Sequence, residues 1–170
     1  HKIYTQNGDE IKSKAIIICT GASAKYLGIP SEQKLIGGGV SACAVCDGFF
    51  YKGQDVAVVG GGDSAIEEAT YLAKICKNVT MLVRKDHFRA SKAMQHRLKN
   101  FKNVNVLFNS EIDEVLGDNV VEGIKVKNNI TNDISEIKVA GLFLAIGHTP
   151  NTDIFKGIIN MNKLYQVCSF

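Results

Sequence analysis

The chain has 170 residues and a composition close to that of an average globular protein. Hydrophobic residues make up 45% and charged residues 22%, which excludes an intrinsically disordered chain. The formal net charge of +3 is too small to indicate a nucleic-acid partner. No apolar run approaches the roughly 18 residues that a membrane span needs, so we expect no membrane segment.

Both ends of the sequence suggest that the chain is an internal piece of a longer protein. It begins with His1, no secretory signal pattern follows, and residues 165–170 resemble the middle of a strand. The 5 cysteines lack the regular spacing of a secreted disulfide scaffold, which favours a reducing cytoplasm. We expect Cys19 and Cys76 to be small buried hydrophobes.

The first forty residues predict a hairpin, a strand and a linker. Residues 2–5 alternate in polarity and precede Asn7-Gly8, a pair that favours a tight hairpin turn leading towards Ile11. Residues 15–19 form an apolar run that predicts a buried strand. Residues 22–40 have little periodicity and are predicted to be linker and loop.

The central part of the sequence predicts alternating strands and helices. Predicted strands cover residues 55–59, 79–83 and 104–108. A helix with an apolar stripe from Ala65 to Cys76 follows the first strand, and a helix capped by Ser91 follows the second. This β-α-β-α-β order indicates an α/β fold with a Rossmann-like parallel sheet.

An antiparallel meander and two domain boundaries complete the prediction. Residues 112–139 lose the helical period and predict antiparallel strands, and residues 142–146 predict a last buried strand. We place boundaries near Gly21 and in the segment 147–151. The predicted domains are residues 1–22, 23–147 and 148–170.

A glycine-rich turn predicts a dinucleotide site. Residues 60–65 have the form Gly-x-Gly-x-x-Ala between a predicted strand and a predicted helix. Gly60 permits the tight turn, Gly62 lets a pyrophosphate approach the backbone, and Ala65 lets the helix pack closely on the sheet. The candidate site also includes Asp63 and Ser64, beside the N–H groups of the helix N-terminus. The alternative is a glycine-rich turn that binds nothing.

The residues after the second predicted strand indicate which dinucleotide would bind. An NAD site has an acidic residue here, whereas this sequence has Arg84, Lys85 and then Arg89. Cations at this position favour the 2′-phosphate of NADPH, which arginine can bind bidentately. The alternative is a solvated basic surface without a ligand.

A Cys-x-x-Cys motif predicts a redox-active dithiol at Cys43 and Cys46. In such a pair one thiolate attacks a substrate disulfide and the other resolves the mixed disulfide. Asp47 is placed to move protons to and from a thiolate, although a helix N-cap or turn role fits its spacing equally well. Half of a zinc site and coincidence are the alternatives for the cysteine pair.

Four segments together resemble the low-molecular-weight bacterial thioredoxin reductases. They are Ser-Ala-Cys-Ala-Val-Cys-Asp-Gly-Phe-Phe at 41–50, Val-Val-Gly-Gly-Gly-Asp-Ser-Ala at 58–65, Val-Arg-Lys-Asp-His-Phe-Arg-Ala at 83–90 and Ala-Ile-Gly-His-Thr-Pro-Asn at 145–151. The resemblance implies an NADPH-binding domain that carries the dithiol and is inserted into an FAD-binding domain.

The resemblance also implies an activity and a role for each site residue. Electrons would pass from NADPH to FAD, then to the Cys43–Cys46 disulfide and then to thioredoxin. Cys46 would face the flavin, Cys43 would attack thioredoxin, and Asp47 would be the acid. The remaining cofactor-binding residues would be Arg84, Lys85 and Arg89 at the 2′-phosphate, with Thr20, Gly21, Ile146 and Gly147 at the cofactors or hinges.

The sequence departs from this family at one basic position and leaves other activities open. Lys85 stands where the family favours a second arginine, which weakens the predicted preference for NADPH. The alternatives are a dithiol oxidase, a hydroperoxide-reductase flavoprotein, or a truncated NADPH-binding module without turnover. Because the family's other flavin-binding motifs lie outside the sequence, we expect this chain alone to lack FAD. We also expect the full-length protein to be a cytoplasmic homodimer, as the resemblance implies.

Overall fold

The computed structural model describes residues 1–162 and divides the chain into two compact units. One unit comprises His1–Ser23 and the residues from Thr149 onward, and the other comprises Ala24–His148. The strand-like ending and Cys168 lie outside the described residues. Within residues 1–162, no helix combines the length and the apolar character that crossing a membrane requires.

The smaller unit begins with the predicted hairpin. Strands β1 (Lys2–Tyr4) and β2 (Glu10–Lys12) pair antiparallel, and Gly8 has a φ of 88° in the turn between them. The buried strand predicted at residues 15–19 is wrong: these residues form no strand and are exposed, including Ile17 and Cys19. An apolar run becomes a buried strand only beside a pairing strand, and none of the described strands pairs with it.

Two short strands contain the points where the chain passes from one unit to the other. They are β3 (Ala22–Ala24) and β12 (His148–Pro150), which form a two-stranded sheet. The Asn151 backbone N–H donates to the Gly21 carbonyl at 3.0 Å. Both chain crossings therefore lie in backbone that is hydrogen-bonded.

The larger unit is an α/β domain with a parallel sheet. Its helices are α1 (Pro30–Lys34), α2 (Ala44–Asp47), α3 (Asp63–Leu72) and α4 (Lys92–Leu98). Its strands are β4 (Val40–Ser41), β5 (Asp55–Val59), β6 (Asn78–Val83), β7 (Val104–Phe108), β8 (Ser110–Leu116), β9 (Gly123–Asn128), β10 (Ile134–Ile137) and β11 (Gly141–Leu144). The parallel sheet has the order β4-β11-β5-β6-β7, and β10-β9-β8 form an antiparallel meander.

The parallel sheet is covered on both faces, as its continuous apolar strands predict. Alternate residues of β5 belong to two separate apolar clusters: Val56 and Val58 pack with α3, whereas Ala57 and Val59 pack with residues of the meander. The predicted α/β architecture is therefore confirmed, and so is the cap of α4, where the Ser91 hydroxyl accepts the Met94 N–H.

The segment predicted to be a featureless linker contains regular structure. Residues 22–40 include β3, α1 and the start of β4, with Pro30 in the first turn of α1. The fully buried Glu32 carboxylate accepts the Leu27 and Gly28 N–H groups, both at 2.8 Å. The five residues of this helix, Pro-Ser-Glu-Gln-Lys, carry no apolar stripe, so hydrophobic periodicity could not reveal it.

The turn from β5 to α3 provides a test of the fold. Gly60 has a φ of 146°, and a Cβ there would lie 2.5 Å from the Ala145 carbonyl oxygen. We expect Gly60→Ala to lower the free energy of unfolding by about 2 kcal/mol or more, through backbone strain. Gly62→Ala is the control, because a Cβ at Gly62 would have no neighbour closer than 3.6 Å.

Urea unfolding of the parent protein and both variants measures this difference. Equal stability of the two variants would contradict the close packing of the turn.

Candidate functional site

The glycine-rich turn lies between a parallel strand and a helix N-terminus, in the context that the sequence predicted. β5 ends at Val59, and Gly62 is the extended N-cap of α3. A Cβ at Gly60 would lie 2.8 Å from the Cβ of the fully buried Ala65, so the turn and the helix are in close contact. The first N–H groups of a helix have no partner within the helix and can bind an anion.

Hydrogen bonds tie this turn to the segment that carries the basic residues. The Gly61 carbonyl accepts the Arg89 N–H at 2.7 Å and the Ala90 N–H at 3.0 Å. The Asp63 carboxylate accepts the Ser91 N–H at 2.7 Å. The sequence predicts Asp63 to be a cofactor-binding residue, and in the structure its carboxylate is hydrogen-bonded within the protein. Its neighbour Ser64 is exposed in the first turn of α3.

The basic residues are exposed at the carboxyl end of β6. Arg84 and Lys85 follow the strand directly, and the Arg89 guanidinium Nη2 lies 3.6 Å from where a Cβ of Gly62 would stand. The one acid of this segment, Asp86, pairs with His87 at 2.5 Å, and this hydrogen bond lowers the pKa of Asp86. The cations thus share one edge of the sheet with the glycine turn.

The two cysteines of the motif form a disulfide at the start of α2. Their Cα atoms are 5.3 Å apart, and the Cys46 N–H donates to the Cys43 sulfur at 3.2 Å. Cys46 is exposed and Cys43 is half-buried. Among residues 1–162 no group of histidine, cysteine and acidic residues could hold a metal ion, so the zinc interpretation has no further ligands.

Asp47 ends α2 and bonds to a serine that the sequence analysis did not single out. The Ser41 hydroxyl donates to the Asp47 carboxylate at 2.6 Å, and the Asp47 side chain makes no cap hydrogen bond to the turn that follows. Burial raises the pKa of Tyr51, and the charge of Asp47 raises it further, so the Tyr51 phenol lies near this carboxylate. Asp47 thus lies at the N-cap position of the short 3₁₀ helix Gly48–Tyr51, but its carboxylate bonds to Ser41 instead of capping that helix.

The dithiol helix packs against α3, the helix that begins at the glycine turn. A Cβ at Gly48 would lie 2.8 Å from the Leu72 side chain and 3.2 Å from the Tyr71 ring, so the backbone at Gly48 approaches α3 closely. The Glu68 carboxyl of α3 interacts with the Ala44 N–H of α2. One helix thus contacts the dithiol segment and presents its N-terminus at the glycine turn.

Glu68 is a half-buried acid at this contact. Burial raises the pKa of Glu68 to about 6; the Ala44 N–H lowers it and the charge of Glu67 raises it. One carboxyl oxygen, Oε2, is buried without a hydrogen-bond partner in the described structure. The ionised form is therefore disfavoured in the folded protein.

The other predicted cofactor residues belong to two different units. Thr20 and Gly21 lie in the smaller unit, where their carbonyls accept the Asn151 side-chain and backbone N–H groups. Ile146 and Gly147 lie in the larger unit at the end of the parallel sheet, with Ile146 half-buried. The turn glycines Gly21 and Gly147 have positive φ and open space where a side chain would begin.

The remaining described cysteines are unpaired. Cys76 is buried, as predicted, and burial, together with the charge of Asp55, raises its pKa to about 11. It therefore stays a thiol at neutral pH. Cys19 is exposed, so its predicted burial is wrong.

The chain belongs to the pyridine nucleotide-disulphide oxidoreductase family, whose model matches residues 1–167. It is 50% identical over 161 residues to a thioredoxin reductase of Rickettsia typhi, covering 93% of this chain and 52% of the relative. The chain thus spans about half the length of the curated relatives that it matches.

Two further proteins that the chain resembles carry different activity names. A thioredoxin reductase structure from Lactococcus lactis aligns with a TM-score of 0.88 and 35% identity, covering 99% of this chain and 56% of that one. A Pseudomonas fluorescens relative named glucosaminate ammonia-lyase is 49% identical, covering 98% of this chain and 53% of the relative. The chemistry of the site must therefore decide the activity.

The raised pKa of Glu68 predicts a pH-dependent effect on stability. The ionised carboxylate destabilises the fold fully above pH of about 6 and not at all below the ordinary value of 4.5. At about pH 8 we expect Glu68→Gln to raise the free energy of unfolding by about 1 kcal/mol, after allowance for partial exposure. The gain should disappear near pH 4.5.

Urea unfolding at both pH values checks this prediction, with the substitution Glu122→Gln at an exposed glutamate as the matched control. A Glu68→Gln variant less stable than the parent at about pH 8 would show that the carboxylate is satisfied in the fold.

Proposed function

We propose that this protein uses NADPH to reduce the disulfide of thioredoxin, through FAD and the Cys43–Cys46 pair. The observation that carries the proposal is the packing of the dithiol segment on α3, the helix that starts at the glycine turn. Because one helix links the predicted NADPH site and the disulfide segment, the two groups can take part in one electron-transfer reaction. The thioredoxin reductase names of relatives such as that of Rickettsia typhi support the same activity.

The hydrogen bonding of the disulfide supports different roles for its two sulfurs. The Cys46 N–H lies 3.2 Å from the Cys43 sulfur and would stabilise a thiolate there after reduction. We assign Cys43 as the thiolate that attacks the substrate disulfide and the exposed Cys46 as the sulfur that resolves it and faces the flavin. Asp47 would exchange protons with the sulfurs.

The residues of this chain fit a dinucleotide and part of a flavin site. Gly62 is the N-cap of α3, and a Cβ there would lie 3.6 Å from the Arg89 guanidinium, so a pyrophosphate that approached this backbone would lie near a cation. Each unit has a turn glycine with open space where a side chain would begin, Gly21 beside Thr20 in the smaller unit and Gly147 beside Ile146 in the larger one. FAD, when bound here, would supply the two-electron carrier between NADPH and the disulfide.

Exposed apolar side chains around the disulfide support a protein substrate. Val45, Phe49 and Phe50 are 70%, 67% and 74% exposed. Apolar side chains exposed together commonly mark a protein-binding surface, and a small disulfide would not need one. We propose that thioredoxin docks on this surface when its disulfide meets Cys43.

The basic segment separates this activity from the alternatives. Arg84, Lys85 and Arg89 favour NADPH, which an oxygen-dependent dithiol oxidase does not need. An ammonia-lyase, the name of one relative, needs no disulfide for an elimination reaction. The same proposal includes a cytoplasmic location, which an exposed free Cys19 supports, and homodimerisation of the full-length protein.

Substitution of Cys46 tests the dithiol in the proposed reaction. In the full-length protein we expect Cys46→Ser to lower the rate of NADPH-dependent thioredoxin reduction by at least about a thousandfold, because no internal disulfide can form. Cys76→Ala is the control, since this buried thiol takes no part and should keep most of the activity. A Cys46→Ser variant with the parent rate would exclude the dithiol route.

The variant Arg84→Ala tests the predicted preference for NADPH. Loss of one phosphate contact should raise the KM for NADPH by about tenfold and leave the KM for NADH nearly unchanged, because NADH lacks the 2′-phosphate. Steady-state kinetics of the full-length protein, with Arg97→Ala on α4 as a basic-residue control, measures both values. Equal kcat/KM values of the parent for NADH and NADPH would contradict the predicted preference for NADPH.

A further inference from the structure

The Ser41 hydroxyl connects the disulfide segment to the carboxylate beside it. Ser41 is the last residue of β4 and is only 8% exposed. Its oxygen lies 2.6 Å from Asp47 Oδ2, 3.0 Å from the Cys43 nitrogen and 3.4 Å from the Cys43 carbonyl oxygen. A single buried hydroxyl therefore contacts both the proposed proton carrier and the proposed attacking cysteine.

The donor and acceptor capacity of a serine fixes the direction of these bonds. The Cys43 N–H donates to the Ser41 oxygen, which leaves one hydroxyl proton for two competing acceptors. The Asp47 carboxylate is nearer than the Cys43 carbonyl, and hydrogen bonds to an ionised acceptor are stronger. The hydroxyl proton therefore points to Asp47 Oδ2.

We propose that Ser41 is a positioning residue for thiol–disulfide exchange at Cys43 and Cys46. By binding Oδ2 of Asp47, it leaves Oδ1 as the atom that carries the exchangeable proton. By binding the Cys43 N–H, it holds this carboxyl and the attacking cysteine in one arrangement. The inference rests on the proposed redox role of the dithiol and assigns a residue that controls its proton transfer.

The exchange reaction balances with Asp47 as the only proton carrier. The Cys43 thiolate attacks the substrate disulfide, one sulfur–sulfur bond forms, one breaks, and the first substrate sulfur leaves as a thiolate. The Asp47 carboxylate then takes the proton of the Cys46 thiol on Oδ1, and the Cys46 sulfur attacks the mixed disulfide at Cys43. The second substrate sulfur leaves and takes this proton from Oδ1. The dithiol loses two electrons, and the substrate disulfide gains them.

The neighbouring groups make the position of this carboxyl depend on Ser41. Asp47 makes no cap hydrogen bond, and the nearby Tyr51 phenol belongs to the turn that directly follows it in the chain. The contact from Ser41 comes instead from the parallel sheet, through β4. Ser41 is thus the side chain that ties the proton carrier to the rigid part of the fold.

A matched pair of substitutions at Ser41 tests the proposal. Ser41→Thr keeps the hydroxyl, whereas Ser41→Val has the shape of threonine but no hydroxyl. The full-length protein is reduced with dithiothreitol, freed of the reductant and mixed with glutathione disulfide, and formation of the Cys43–Cys46 disulfide is followed by alkylation and mass spectrometry. This assay needs neither NADPH nor thioredoxin, so its result is independent of the proposed turnover.

We expect Ser41→Val to slow disulfide formation by about tenfold, part of the rate that a positioned general acid supplies. Ser41→Thr should stay close to the parent rate, and Ser41→Val should cause no further slowing in an Asp47→Asn background. Far-UV circular dichroism checks the fold, and Ser41→Ala replaces Ser41→Val if the latter is unfolded.

Three results would overturn the proposal. They are a parent-like rate without the hydroxyl, a Ser41→Thr rate as low as that of Ser41→Val, or equal slowing by Ser41→Val with and without Asp47. Hydroxyl-dependent exchange in a protein that fails to reduce thioredoxin would support this inference and overturn the proposed turnover.

Discussion

The packing of α2 on α3 is the constraint on which the rest of the site depends. Gly48 brings the dithiol segment against Leu72, and Glu68 of α3 interacts with the Ala44 N–H beside Cys43. The same α3 begins at the glycine turn, where its free N–H groups face the carboxyl edge of the sheet. A shift of α3 would therefore displace the disulfide and the dinucleotide turn together.

Packing and hydrogen bonds hold most of the groups around this site, but one buried oxygen has no partner. β5 is buried on both faces, which fixes the turn at Gly60, and Glu32 fixes the segment before β4. In contrast, Glu68 keeps a buried oxygen without a partner, and Ser41 holds Asp47 by a charge-assisted bond. Of these two polar features, the unpartnered Glu68 oxygen is unfavourable, whereas the Ser41–Asp47 hydrogen bond is stabilising.

The sequence predicted those parts of the protein whose pattern is local. The β-branched run of β5, the cap at Ser91 and the glycine turn each depend on neighbouring residues, and the structure has all three. Ser41 and α1 were missed because their roles come from contacts across a turn. Residues 15–19 were wrongly assigned, since an apolar run specifies a strand only where a neighbouring strand can pair with it.

Chemical labelling of the cysteines tests the electron route most directly. The flavin-loaded full-length protein is incubated without oxygen with NADPH, or without it, and then alkylated and analysed by mass spectrometry. The account predicts label on both Cys43 and Cys46 only after NADPH, with Cys76 unlabelled because its buried thiol has a raised pKa. A disulfide that stays intact while the flavin is reduced would contradict the account.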